Sequence, residues 1–211
     1  MRSRILILLT LTFVVAAAAA TSALATSSVR RSAVPCGQLL TEGEAGSAMH
    51  EPNASLLTSK LVGSRTWECD YTGGSKTKLG HAIDVLWGPY SDSRAMAPGF
   101  AKKYLCPVSK AACAKFVRAA TLKPNLTSFL ATEKALALFG ATKTPVRTID
   151  NPAFAWKPSS SLAPLDQEAF VGVYIVSSAH FVQVGCTDLV SKTADAQCAV
   201  RVASWVEESV T

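Results

Sequence analysis

Several chemistries are excluded by what this chain lacks. None of its six cysteines stands in a Cys-x-x-Cys pair, so neither a thioredoxin-like redox motif nor a zinc ribbon is present. It has three histidines (His50, His81 and His180) and no His-x-x-x-His, which leaves no helical metal pair; no metal and no cofactor are expected. There is no Gly-x-Ser-x-Gly elbow for a hydrolase nucleophile, and no glycine-rich phosphate loop opens a helix. A triad can be drawn on paper from His180, Asp84 and one of many serines, but no spacing singles one out, so no catalytic residue is assigned. A carboxylate pair for glycoside chemistry would most naturally include Asp84, whose neighbours Ile83 and Val85 point to the other face of a strand.

After residue 20 no apolar run approaches the ~20 residues that a membrane span needs. The start itself reads as a signal peptide over residues 1–25. Arg2 and Arg4 are followed by the apolar run Ile5 to Ala20 and by Ala23-Leu24-Ala25, a small-x-small cleavage pattern. The first cysteine comes well past that point, at Cys36 after Pro35, so no lipid-attachment box is formed. Residues 26–34 are small and polar, a linker, and residues 35–211 are expected to form a single α+β domain. Removing Arg2 and Arg4 lowers the formal charge from +6 to +4, too mild to imply nucleic acid. Localisation is expected to be extracellular, with no transmembrane segment after cleavage.

An even number of cysteines in an exported chain suggests disulfides, and six allow fifteen connectivities. The sequence-adjacent set (Cys36–Cys69, Cys106–Cys113, Cys186–Cys198) joins segments that the secondary-structure pattern already makes neighbours.

Thr41 and Glu44 form a capping box ahead of Ala45, Ala48 and Met49. Residues 50–64 read as a loop. Trp67, Cys69 and Tyr71 alternate with Thr66, Glu68 and Asp70, which predicts a half-buried strand, and His81 to Trp87 predicts a second. Residues 91–140 read as helical, with Pro98 in a first turn and Gly140 as a C-cap. Strand-like segments follow at Val146–Ile149 and Ala153–Trp156. Ala169–Val176 is apolar on both faces, a central strand, and Phe181–Cys186 pairs with it. A final amphipathic helix begins at Asp195. The pattern predicts an antiparallel sheet of about five strands with helices packed mainly on one face.

Cys36-Gly37-Gln38-Leu39-Leu40-Thr41, the strand Trp67-Glu68-Cys69-Asp70-Tyr71 and the segment from Asp150 to Trp156 together resemble an actinobacterial family of secreted proteins and lipoproteins of unknown function. That resemblance implies an α+β sandwich with Cys36 bridged to Cys69, and it brings no chemistry. This chain departs from the family in lacking a lipobox and in carrying a helical middle with Cys106 and Cys113.

The feature least explained by folding is charge. Between Asp92 and Glu133 there is no acidic residue, yet Arg94, Lys102, Lys103, Lys110, Lys115, Arg118 and Lys123 all fall there. Lys102, Lys103, Lys110, Lys115 and Arg118 are the candidate surface for an anionic partner, either a cell-envelope component or an envelope protein. The plain alternative is a solvated helical face whose charge is balanced by Glu207 and Glu208 elsewhere in the fold. Trp87, Tyr90 and Trp156, at strand ends, are candidates for a pocket rim. The expected role is an extracytoplasmic binding or interaction module without catalysis, with a secreted hydrolase as the alternative.

Overall fold

A computed structural model describes residues 35–62, 65–75, 78–139, 142–158 and 168–211. The expected signal peptide, the linker and the Gly140 cap lie outside these residues.

Two short helices open the fold: α1 (Cys36–Leu39) and α2 (Glu42–Met49). The capping box is formed as expected. Glu44 N donates to Thr41 Oγ1 (3.2 Å), and Thr41 N donates to the Glu44 carboxylate (2.7 Å). Three strands follow, β1 (Ser55–Val62), β2 (Thr66–Ser75) and β3 (Lys78–Pro89). The helical middle holds α3 (Tyr90–Phe100), a π turn (Ala101–Leu105), α4 (Lys110–Ala120), α5 (Leu126–Leu136) and a 3-10 turn (Ala137–Phe139). The chain ends in β4 (Thr142–Pro145), β5 (Ala153–Lys157), β6 (Ala169–Ile175), β7 (His180–Asp188), the two-residue β8 (Thr193–Ala194) and α6 (Ala196–Val210).

The sheet runs β1-β2-β3-β7-β6-β5-β4, antiparallel at every pairing, with β8 beside the end of β7. The expected α+β class with an antiparallel sheet is therefore present, but seven strands make up the path where about five were expected. One addition is β1, inside the segment read as a loop. It is an edge strand of Ser, Thr, Lys and Leu with Leu57 and Leu61 facing out, so its side chains give no apolar alternation. The other difference is β4, which precedes the expected strand at Val146–Ile149; Val146 still donates to the Ala153 carbonyl (3.1 Å), and residues 147–149 form bends. Pro98 sits near the end of α3, not in a first turn. It has no N–H for the preceding turn, and the helix widens into the π turn three residues later.

Helices cover both faces of the sheet, not mainly one. On the first face, α1, α2 and α6 pack over Cys69, Tyr71, Ile83, Val85, Val171, Val173, Val182 and Val184. On the second, the layer from α3 to α5 packs over Trp156 and Phe170 and, further along, over Leu86, Tyr174 and Phe181. The reason is β6, every residue of which is buried. A strand apolar on both sides needs cover on both sides, and the helical middle supplies the second. The apolar stripe of α6 (Cys198, Ala199, Val202, Ala203, Val206) supplies the first.

The three disulfides are Cys36–Cys69, Cys106–Cys113 and Cys186–Cys198, with Cα separations of 5.6, 4.9 and 6.0 Å. They tie α1 to β2, the end of the π turn to α4, and β7 to α6.

Candidate functional site

The five candidate cations lie on the outer side of the second-face layer. Ser109 caps α4 by accepting from Ala112 N (3.3 Å), which fixes where the helix starts and so how it is turned. At about 100° per residue, Lys110, Lys115 and Arg118 fall within an arc of roughly 140°. The buried residues Ala112, Cys113, Phe116 and Ala120 occupy the opposite arc. Lys102 and Lys103 project from the π turn, which Cys106–Cys113 holds against α4. All five are exposed. Among the described residues the salt bridges are Lys60–Glu68, Arg65–Asp92 and the contacts of His81 with Glu51 and Asp195, and none engages these cations.

Glu207 and Glu208 stand elsewhere in the fold, on α6. Glu207 is buried on α6 and accepts from the backbone N (3.1 Å) and side-chain Nδ2 (2.6 Å) of Asn151. Glu208 stands on the same helix, across the sheet from α4. Within α3 and α4 the acidic residue is Asp92, which pairs with Arg65 at 3.0 Å and with none of the five cations.

Beneath the layer is a cavity of about 110 Å³, walled by α3, α4, α5 and the second face of the sheet. Two of the three rim candidates, Tyr90 and Trp156, line it. Trp87 does not: it is buried in the first-face core and stacks on His180 with ring centroids 4.8 Å apart. Gly88 and Pro89 continue β3, and alternation along it puts Trp87 on the first face and Tyr90, three residues on, on the second. Arg94, one of the seven basic residues of this segment but not among the five, also lines the cavity, and its Nη1 donates to the Leu122 carbonyl (3.0 Å).

A third cluster was not foreseen. Glu68 and Asp70, expected on the open side of a half-buried strand, are buried on the second face. Asp70 pairs in register with Asp84, and Asp84 with Gly185. Gly185 leaves room for the Glu168 side chain; a Cβ there would collide with the Glu168 carboxyl. Four carboxyls thus share one patch. Glu68 is held by Lys60 Nζ at 2.9 Å, yet burial, opposed by Lys60 and assisted by Asp70, leaves its pKa raised. Burial, then the charges of Glu168 and Asp70 and side-chain hydrogen bonding with Asp70, hold Asp84 well above the usual carboxylate range. Glu168 is pushed up to about 7, first by burial and then by Asp70. The only hint of this in the sequence is a pair of acids on a strand whose other face is apolar, a pattern identical to that of an exposed face.

His180 and Asp84 lie on opposite faces of the sheet, so the triad drawn from them does not form. His81 sits between Glu51 (3.5 Å) and Asp195 (4.0 Å). No group of three or more His, Cys, Asp or Glu side chains among the described residues could hold a metal ion.

Fold and site together define a disulfide-stapled α+β protein with one basic helical layer. Comparison with protein-family models, curated proteins and solved structures finds no match for this chain. Three disulfides fit an extracellular or secreted protein. No helix among the described residues is long and apolar enough to cross a membrane.

Proposed function

We propose that this chain is an exported, non-catalytic binding module that docks on phosphate-bearing material of the cell envelope through Lys102, Lys103, Lys110, Lys115 and Arg118. The observation that carries this reading is the exposed arc of cations on α4 and the π turn, unpaired by any acid among the described residues. Export rests on residues 1–25 and on the oxidised cysteines, and kinship with the secreted actinobacterial family is part of the same proposal.

Each cation near an anionic surface contributes about 1 kcal/mol. Changing all five to Glu should therefore weaken binding to phosphatidylglycerol vesicles or to a glycerol-phosphate polymer by more than about a hundredfold. The substituted positions are exposed, so unfolding by urea should be unchanged. Binding to vesicles alone would point to lipid headgroups, and binding to the polymer alone to the wall. Equal binding by wild type and the five-site variant would defeat the assignment.

A second reading, a hydrolase built on carboxylates, is favoured by the group Asp70, Asp84 and Glu168, in which one carboxyl sits near neutrality. It ranks behind the first because none of the three lines the aromatic cavity.

A further inference from the structure

We infer that the cavity under α3–α5 is a binding site for a small organic acid, taking one aromatic ring or a short alkyl segment inside and the acid group at Arg94. This goes beyond docking on the surface cations and does not depend on it.

Size sets the first limit. At about 110 Å³ the cavity is smaller than the roughly 150 Å³ of an apolar cavity that holds benzene, so it takes at most a single ring or a few methylenes and excludes a long acyl chain. The walls set the second. Phe100, Phe116, Phe129, Trp156 and Phe181 are aromatic, contributed by three helices and two strands. A void among such side chains forfeits contacts that a ring would restore.

Polar groups set the orientation. Arg94 lines the cavity, and its position is fixed by the bond from Nη1 to the Leu122 carbonyl. That is its one hydrogen bond among the described residues, so Nη2 and Nε remain for a carboxylate or phosphate. Glu133 also lines the cavity, at the sheet end, where its Oε1 lies 3.5 Å from the place a Cβ on Gly172 would occupy. The cation of the cavity is thus on α3, which places the acid group there and the ring toward the sheet.

Phenylacetate, phenylacetamide and phenethylamine share a ring and differ in charge, which makes them suitable probes for the full-length mature protein. Titrations followed by NMR at the Trp156 indole N–H should show saturable binding of phenylacetate about tenfold tighter than of the amide, and weaker binding still of the amine. Arg94→Gln should bring the acid down to the level of the amide and leave amide binding in place. Ala97→Leu, which fills the cavity from α3, should remove binding of all three. The variant with Lys102, Lys103, Lys110, Lys115 and Arg118 changed to Glu should bind phenylacetate as wild type does, whatever it does with envelope polymers. Absence of any shift at Trp156, equal binding of acid and amine, an acid preference that survives Arg94→Gln, or loss of phenylacetate binding in the five-site variant would each overturn the inference.

Discussion

Replacing Cys36 and Cys69 together by Ala should lower the free energy of unfolding by about 3–4 kcal/mol, more than removal of either other disulfide. The bond closes a loop of 33 residues, against 12 for Cys186–Cys198 and 7 for Cys106–Cys113. The loop-entropy relation gives about 3 and about 2.5 kcal/mol for the shorter two. The difference is widened by what the first bond anchors. Four residues of α1 cannot hold a helix by themselves. They are kept by Cys36 and by the Tyr71 hydroxyl, which donates to the Leu40 carbonyl at 2.6 Å. Both sulfurs are fully buried. A domain with about 5–15 kcal/mol of total stability loses a large share by this change. Urea denaturation of the three double-Ala proteins checks the order. If loss of Cys106–Cys113 costs as much as loss of Cys36–Cys69, the ranking by loop length is wrong.

Stability should fall as pH rises from about 4.5 to above 7, the reverse of what paired surface carboxylates produce. Glu168 has a folded pKa raised to about 7, so the folded state holds its proton more tightly than the unfolded chain does. Its contribution is complete below the unfolded value near 4.5 and is lost through the folded one, for a total of about 3 kcal/mol. Asp84, also raised, acts in the same direction. Asp188, lowered by its bonds to Ser191, acts oppositely but below pH 4, outside this window. Urea midpoints at pH 5.0 and 7.5 should therefore differ for wild type, with the lower pH more stable. Glu168→Gln should flatten that difference, and Gly185→Ala should shrink it by displacing the Glu168 carboxyl from its place beside Asp84. Equal stability of wild type at the two pH values, or greater stability at 7.5, would contradict the raised carboxyl pKa values of this patch.

The contrast between these two cases shows which parts of the molecule could be read in advance. Disulfide partners were legible because each cysteine pairs with the next one along the chain. The Thr41–Glu44 box and the Asp195 cap were legible because both are local, decided within four residues. Ala169–Ile175 was legible as a central strand, but the cover that its two buried faces need on both sides was not carried through, and helices were expected mainly on one face. The carboxyl patch was hidden because it depends on register. Asp70 meets Asp84 only through the β2–β3 pairing, and Glu168 reaches them only because residue 185 on β7 is glycine. The pocket rim was half legible: Tyr90 and Trp156 reach the cavity from separate elements, while Trp87 turned to the other face. For the basic segment, composition showed the charge. Its meaning required knowing that α4 buries the arc opposite its cations, and that Glu207 and Glu208 stand across the sheet.

The most direct measurement is the affinity of the mature protein for a glycerol-phosphate polymer and for phosphatidylglycerol vesicles as a function of NaCl concentration. Exposed cations act through a field that salt screens over about 10 Å at 0.1 M, so affinity for at least one of the two should fall steeply between 20 and 300 mM (roughly one to two Debye-length halvings). Affinity for both that is absent at low salt, or that does not change with salt, would contradict a role built on the α3–α4 cations.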